Sequence, residues 1–186
     1  MTAPIRPDPP AKFVPGRSGL SKEWQSYFAK PFVADTLSRL VNDPVEVSSF
    51  DSPPQDLPNL RAGTTNAGTI QLYGKQDEEA LGAFTHEVGH VIDRRSQETG
   101  DALEITETLR AIFNTAKPPA FTYESDTGNP PAEYVAETFR SAMEIVRSPA
   151  DQQQLNLQQA ERQFPGISLW YNWIQQRLKS NTTATK

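Results

Sequence analysis

The sequence predicts an α+β fold in which helices dominate and a small sheet precedes one long helix. Apolar residues recur at helical spacing through most of the chain. Two short segments alternate apolar and polar residues instead, and both come before the longest helical pattern. The length of 186 residues fits one domain. We place that domain at residues 21–180, between an N-terminal arm (1–20) and a flexible tail (181–186).

Composition excludes several classes of protein. The chain has no cysteine, which removes disulfides, thiolate zinc ligands and cysteine nucleophiles. A net charge of −5 with 18 scattered basic residues argues against nucleic-acid binding. Apolar runs are too short for a membrane span, and no charged-then-apolar leader predicts a Sec signal peptide. We expect a soluble acidic domain, cytoplasmic in the producing cell or exported by a non-Sec route.

The predicted arm is rich in proline. Its five prolines are Pro4, Pro7, Pro9, Pro10 and Pro15. Proline fixes φ and disfavours the α conformation in the preceding residue, so an extended, polyproline-like segment is expected. Such an arm is a candidate for docking on a protein partner or a larger assembly.

The first part of the predicted domain contains short elements. Aromatic residues at helical spacing after Ser21 predict one helix, and Pro31 is expected to start a second. Alternation over residues 45–50 predicts a strand, and residues 51–66 have the composition of a loop. Alternation over residues 69–73 predicts another short, half-buried strand.

Helices are predicted for the rest of the chain. Asp77 is the expected N-cap of a long helix over residues 78–95. Its apolar stripe consists of Leu81, Phe84, Val88 and Ile92. The further predicted helices are residues 101–115, a helix from an Asn129 cap to Arg147, and one helix starting at each of Pro149 and Pro165.

The long helix carries the segment His86-Glu87-Val88-Gly89-His90. Residues four apart share one face of a helix, so His86 and His90 can present imidazole nitrogens to one metal ion. Glu87 lies beside them, which is the H-E-x-x-H arrangement of zinc peptidases with the glutamate as general base. Gly89 costs a helix about 1 kcal/mol relative to alanine, which indicates that another element packs closely there.

Catalytic zinc needs a third protein ligand, and the chain has no further histidine. The third ligand must therefore be a carboxylate. Asp93 lies too far along the helix to complete the site, and orienting a ligand or packing against an arginine is its expected role. The spacing leaves two pairs of candidates open, Glu104 with Glu107 and Glu133 with Glu137.

The segment from His86 to Asp93, followed by Ala132-Glu133-Tyr134-Val135-Ala136-Glu137-Thr138-Phe139, resembles the catalytic domain of anthrax lethal factor and its relatives, including the Pro-Pro endopeptidases. That family pairs H-E-x-G-H-x-x-D with E-aromatic-x-A-E-x-F. The resemblance implies a zincin-like metallopeptidase with Glu133 as the third zinc ligand and Glu137 hydrogen-bonded to a zinc-bound histidine. It also implies that a tyrosine, best matched by Tyr123, faces the substrate, whereas Tyr134 is expected to pack.

We therefore expect a zinc endopeptidase in which Glu87 deprotonates a zinc-bound water and Tyr123 stabilises the oxyanion. Its polypeptide substrate is expected to add as an extra strand. The predicted edge strand consists of Thr69, Ile70, Gln71, Leu72 and Tyr73. The resemblance also suggests an effector, toxin or particle-borne protease. The alternative is an assembly component that keeps the metallopeptidase fold and docks through its arm.

Overall fold

The computed structural model describes residues 12–65, 68–116, 118 and 129–183. Its strands are β1 (Phe13–Pro15), β2 (Val45–Phe50), β3 (Ala62–Thr64) and β4 (Ile70–Tyr73). Its α-helices are α1 (Lys22–Phe28), α2 (Ser38–Leu40), α3 (Glu78–Thr99), α4 (Leu103–Ala116), α5 (Pro130–Arg147), α6 (Gln153–Gln163) and α7 (Ile167–Thr183). A π-helical segment, Phe32–Leu37, leads directly into α2. The predicted α+β class, rich in helix with a small sheet before the long helix, is confirmed.

The four strands form one sheet in the order β1-β2-β4-β3. β1 and β4 both pair with β2 in parallel, and β3 pairs with β4 in antiparallel fashion. The strands expected near residues 45 and 70 are present as β2 and β4. β3 lies in the segment 51–66 that was expected to be loop. Its sequence Ala-Gly-Thr has no alternation of apolar and polar residues that would predict a strand.

β1 lies inside the segment that the sequence assigned to the arm. Phe13 pairs with Val45, and its ring packs edge-on against Phe84 of α3 with a centroid distance of 5.1 Å. This part of the segment is extended, as expected, but it belongs to the sheet of the domain. Residues 1–11 lie outside the described part of the chain. At the other end, α7 continues to Thr183, into the segment expected to be a tail.

The prediction that residues 69–73 form an edge strand is wrong. β4 lies between β2 and β3, so both of its sides are paired: Leu72, for example, is opposite Ser49 on one side and Ala62 on the other. The physical reason is the unexpected strand β3, which occupies the side of β4 that the sequence left open. Within the described part of the chain, the edge strand nearest the long helix is therefore β3.

The predicted helix caps are confirmed. Asp77 accepts a hydrogen bond from the Ala80 backbone N–H at 2.9 Å, and Asn129 accepts one from the Ala132 N–H at 3.4 Å. α3 extends past the predicted end to Thr99, and Gly100 caps it with a φ of 76°, a left-handed conformation that glycine adopts without strain. The last two helices begin after the prolines that were expected to start them.

The core lies between one face of the sheet and the helices. Val47, Ile70 and Leu72 of the sheet and Phe84 and Val88 of α3 have no exposed surface. α3 packs between the sheet and α5, with its histidine face toward α5.

Among the described residues, no helix has both the length and the apolar composition that crossing a membrane requires.

Candidate metal centre

His86 and His90 lie on the face of α3 that packs against α5. Because they are one helical turn apart, their rings approach to a centroid distance of 4.8 Å. The apolar stripe of α3 is adjacent to this face and packs into the core, so the two rings are drawn inward with it. Their side chains are only 10% and 18% exposed, respectively.

Glu133 of α5 is the third member of the cluster. One of its carboxylate oxygens, Oε2, lies 3.2 Å from His86 Nε2 and 3.4 Å from His90 Nε2. All three ligand atoms lie within 4.8 Å of one another. Ligands bound about 2.0–2.2 Å from a tetrahedral metal are about 3.3–3.6 Å apart. The buried group His86, His90 and Glu133 could therefore hold a metal ion after small adjustments.

The other candidate ligands do not join this group. Glu104 and Glu107 are exposed on α4, and no metal-binding group among the described residues includes them. Asp93 is buried and forms an ion pair with Arg110 of α4, with 2.6 Å between Asp93 Oδ2 and Arg110 Nη2. Of the two roles expected for Asp93, packing against an arginine is the one observed.

Glu137 lies one turn after Glu133 and holds the opposite side of the His86 ring. Its Oε2 is 3.2 Å from His86 Nδ1, which agrees with the hydrogen bond that the resemblance implies. Arg140 binds both oxygens of the same carboxylate: its Nε donates to Oε2 at 2.9 Å, and its Nη2 donates to Oε1. Such a contact orients a metal-binding imidazole so that Nε2 faces the metal.

The charges of the cluster are strongly coupled. Burial lowers the pKa of His86, but the hydrogen bonds of its ring with Glu133 and Glu137 outweigh this effect. The net result is a pKa raised from 6.5 to about 9. Burial raises the pKa of Glu133, whereas the hydrogen bonds from both histidines hold it well below its usual range. The raised pKa favours the protonated form of His86 between the two carboxylates in the metal-free protein. A divalent metal would replace its Nε2 proton and keep Glu133 neutralised.

Glu87 faces the sheet edge next to the cluster. Its residue is 8% exposed, and it lies close enough to His86 to raise the pKa of that histidine. Thr64, the last residue of β3, donates a hydrogen bond from its hydroxyl to Glu87 Oε2 at 2.6 Å. The carboxylate is therefore held from the strand side by one oxygen.

The two tyrosines have different outcomes. Tyr134 is fully buried, and its hydroxyl donates to the Pro165 carbonyl at 2.8 Å, so its predicted packing role is confirmed. Burial raises its pKa. Tyr123 lies outside the described residues, and its assignment stays a prediction.

Sequence patterns did not identify two residues that lie near the cluster. Arg140 lies three residues after Glu137, a spacing typical of helical ion pairs, so charge patterning could have found it. Thr64 had no comparable signal, because its contact with Glu87 spans 23 positions and depends on where β3 packs.

A cavity of about 230 Å³ is lined by residues of α3, α5 and the π-helical segment. Thr85 and Arg140 line it, but none of the three potential ligands does.

The chain matches no protein-family model, no curated protein and no solved structure.

Proposed function

We propose that this protein is a zincin-like, zinc-dependent endopeptidase. The observation that carries the proposal is the largely buried His86–His90–Glu133 group, whose ligand atoms all lie within 4.8 Å of one another, with Glu87 next to it. Three protein ligands rather than four are typical of catalytic zinc, which keeps one position open. Two imidazole nitrogens with one carboxylate also suit zinc better than magnesium or calcium, which prefer ligand sets made of oxygen atoms.

Zinc, when bound, supplies Lewis acidity that activates water and polarises the scissile carbonyl. Glu87 would take a proton from the attacking water and pass it to the leaving amine. Glu137 and Arg140 would keep the His86 ring oriented, with Nδ1–H donating to Glu137 and Nε2 directed toward the metal position beside Glu133. Tyr123 remains the proposed donor to the developing oxyanion.

The substrate is proposed to bind along β3 rather than β4. β3 forms the end of the sheet on the side of α3, and Thr64 joins it to Glu87. An extended polypeptide that added to this edge would run past the proposed base. A polypeptide is therefore the substrate class that the site suits, and hydrolysis of an internal peptide bond is the reaction.

The test separates metal binding from catalysis. The purified wild-type protein should contain about one zinc per chain and cleave members of a random peptide library, read by mass spectrometry. Glu87→Gln should keep the zinc and lose about 10²–10⁴ in rate. Glu98→Gln, an exposed glutamate on the same helix, is the control and should match the wild type.

Two outcomes would contradict the proposal. Cleavage that survives Glu87→Gln would remove the general base from its assigned place. A wild-type protein that holds zinc but cleaves no peptide in the library would favour the alternative of an assembly component with a structural metal.

A further inference from the structure

Thr64 connects the open edge of the sheet to Glu87. Its hydroxyl lies 2.6 Å from Glu87 Oε2 and 3.4 Å from the Glu87 backbone carbonyl oxygen. The shorter contact is a charge-assisted hydrogen bond from a neutral donor to a buried carboxylate. The strand and the helix are thus joined at the residue proposed as general base.

The backbone N–H and C=O groups of Thr64 lie in the plane of the sheet and point toward the edge of β3 that no other described strand pairs with. In an antiparallel pair, alternate residues direct their N–H and C=O groups to the partner strand. Tyr73 N–H donates to the Arg61 carbonyl, and Thr65 N–H donates to the Thr69 carbonyl. Residues 61, 63 and 65 therefore face β4, and the backbone groups of Ala62 and Thr64 point away from it.

We propose that Thr64 is a positioning residue for the hydrolysis: its backbone pairs with the bound polypeptide while its hydroxyl holds the Glu87 carboxylate in place. This inference rests on the proposed peptidase function. It adds that substrate binding and orientation of the base share one residue, so that the peptide strand and the base are held in a common register.

The physical reason lies in the two oxygens of Glu87. The Thr64 hydroxyl occupies Oε2, which leaves Oε1 to receive the proton of the attacking water. Removing the Thr64 hydroxyl would take one hydrogen bond from the buried Glu87 carboxylate and allow its side chain more rotamers. Proton transfer requires the base within about 2.6–3.2 Å of the proton's heavy atom, so rotamer freedom at Glu87 lowers the rate.

The first measurement needs no turnover. Protein loaded with Co²⁺ in place of zinc has a visible spectrum that responds to hydrogen bonding at the open coordination position. Thr64→Val, which keeps the β-branched shape and removes the hydroxyl, should shift this spectrum in the same direction as Glu87→Gln. Thr64→Ser should restore the wild-type spectrum, and Thr64→Val should add nothing in the Glu87→Gln background.

The control is Thr138→Val on α5. Thr138 is fully buried, and its hydroxyl donates to the Tyr134 and Val135 carbonyls of its own helix. The variant reproduces the loss of a buried hydroxyl without a contact to Glu87. It should leave the Co²⁺ spectrum unchanged, even if its melting temperature falls.

The second measurement is steady-state kinetics on a cleaved library peptide. Thr64→Val should lower kcat about 10–100-fold, the usual cost of losing a partner that orients an active-site group. KM should change little because the strand backbone is retained, and Thr64→Ser should recover most of kcat. A loss confined to KM would overturn the proposal.

The two measurements separate its failure from that of the peptidase function. A Co²⁺ spectrum that responds to Glu87→Gln but not to Thr64→Val would overturn the role of Thr64 and leave the peptidase intact. A spectrum that ignores Glu87→Gln as well, together with no cleavage, would overturn both.

Discussion

Gly89 of α3 lies in backbone contact with Ala136 of α5. A Cβ atom at Gly89 would stand 2.9 Å from Ala136 Cα and 3.1 Å from the Ala136 carbonyl oxygen. This close approach explains why the helix tolerates a glycine at its centre. It also brings α5 near enough for Glu133 to reach both histidines of α3.

Gly89→Ala should destabilise the protein although alanine is the better helix former. The gain in helix propensity is about 1 kcal/mol, whereas forcing a methyl group against fixed backbone costs about 1–3 kcal/mol. We expect a net loss of up to about 2 kcal/mol in the free energy of unfolding and weaker metal binding. Thermal melting and a competitive chelator titration measure the two effects.

Gly82→Ala on the same helix is the matched control. Its Cβ would meet only Arg140 Nη1 at 3.9 Å, an ordinary contact, so the propensity gain should remain. The melting temperature should rise by roughly 2–4 °C for a gain of about 1 kcal/mol. If both alanines stabilise the protein, α3 and α5 are not in backbone contact.

Glu133→Gln should lose metal because it removes the charged ligand and leaves the amide as a poor substitute. Glu104→Gln and Glu107→Gln serve as controls, since both residues are exposed on α4. Metal analysis after dialysis against a weak chelator should show depletion of the first variant alone. Depletion of a control instead would assign the third ligand to α4.

The free energy of unfolding of the metal-free protein should decrease both at high pH and at low pH. The pKa of His86 is raised from 6.5 to about 9, so its contribution is complete below pH 6.5 and is lost as the pH rises toward 9. Burial raises the pKa of Glu137, but hydrogen bonds from His86 and Arg140 outweigh it and lower the pKa from 4.5 to about 2. That contribution is complete above pH 4.5 and is lost as the pH falls toward 2.

Melting temperatures of the metal-free protein should therefore be highest between about pH 4.5 and 6.5. Metal must displace the His86 proton, so zinc affinity should increase with pH up to about 9. Proton release on zinc addition, measured in two buffers by calorimetry, checks this second effect. A melting temperature that stays constant from pH 6.5 to 9 would contradict the coupling of His86 to the two glutamates.

Tyr134→Phe should affect mainly stability, whereas Tyr123→Phe should affect mainly the catalytic rate. Tyr134→Phe removes the donor to the Pro165 carbonyl and should cost about 1 kcal/mol of stability with little change in rate. Tyr123→Phe should melt like the wild type and lose roughly 10²–10³ in kcat, the scale of one oxyanion donor. Melting curves and full kinetics together decide, and a reversed pattern would refute the assignment of Tyr123.

Local patterns were sufficient for much of the fold and half of the site. The Asp77 and Asn129 caps, strands β2 and β4, and the extent of α5 depend on nearby residues, so periodicity and capping rules predicted them. The pairing of His86 with His90 on one helical face is equally local. The helix-propensity cost of Gly89 predicted that another element packs closely against α3, but it did not indicate which element.

Long-range packing decided the rest. The spacing left the third ligand open between α4 and α5, and the family resemblance pointed to Glu133. The Gly89–Ala136 contact brings Glu133 to the histidines, whereas Glu104 and Glu107 are exposed on α4. The position of β3 made it, not β4, the open edge and brought Thr64 to Glu87. These contacts join residues 23 or more positions apart, and periodicity along the chain holds no information about which distant surfaces meet.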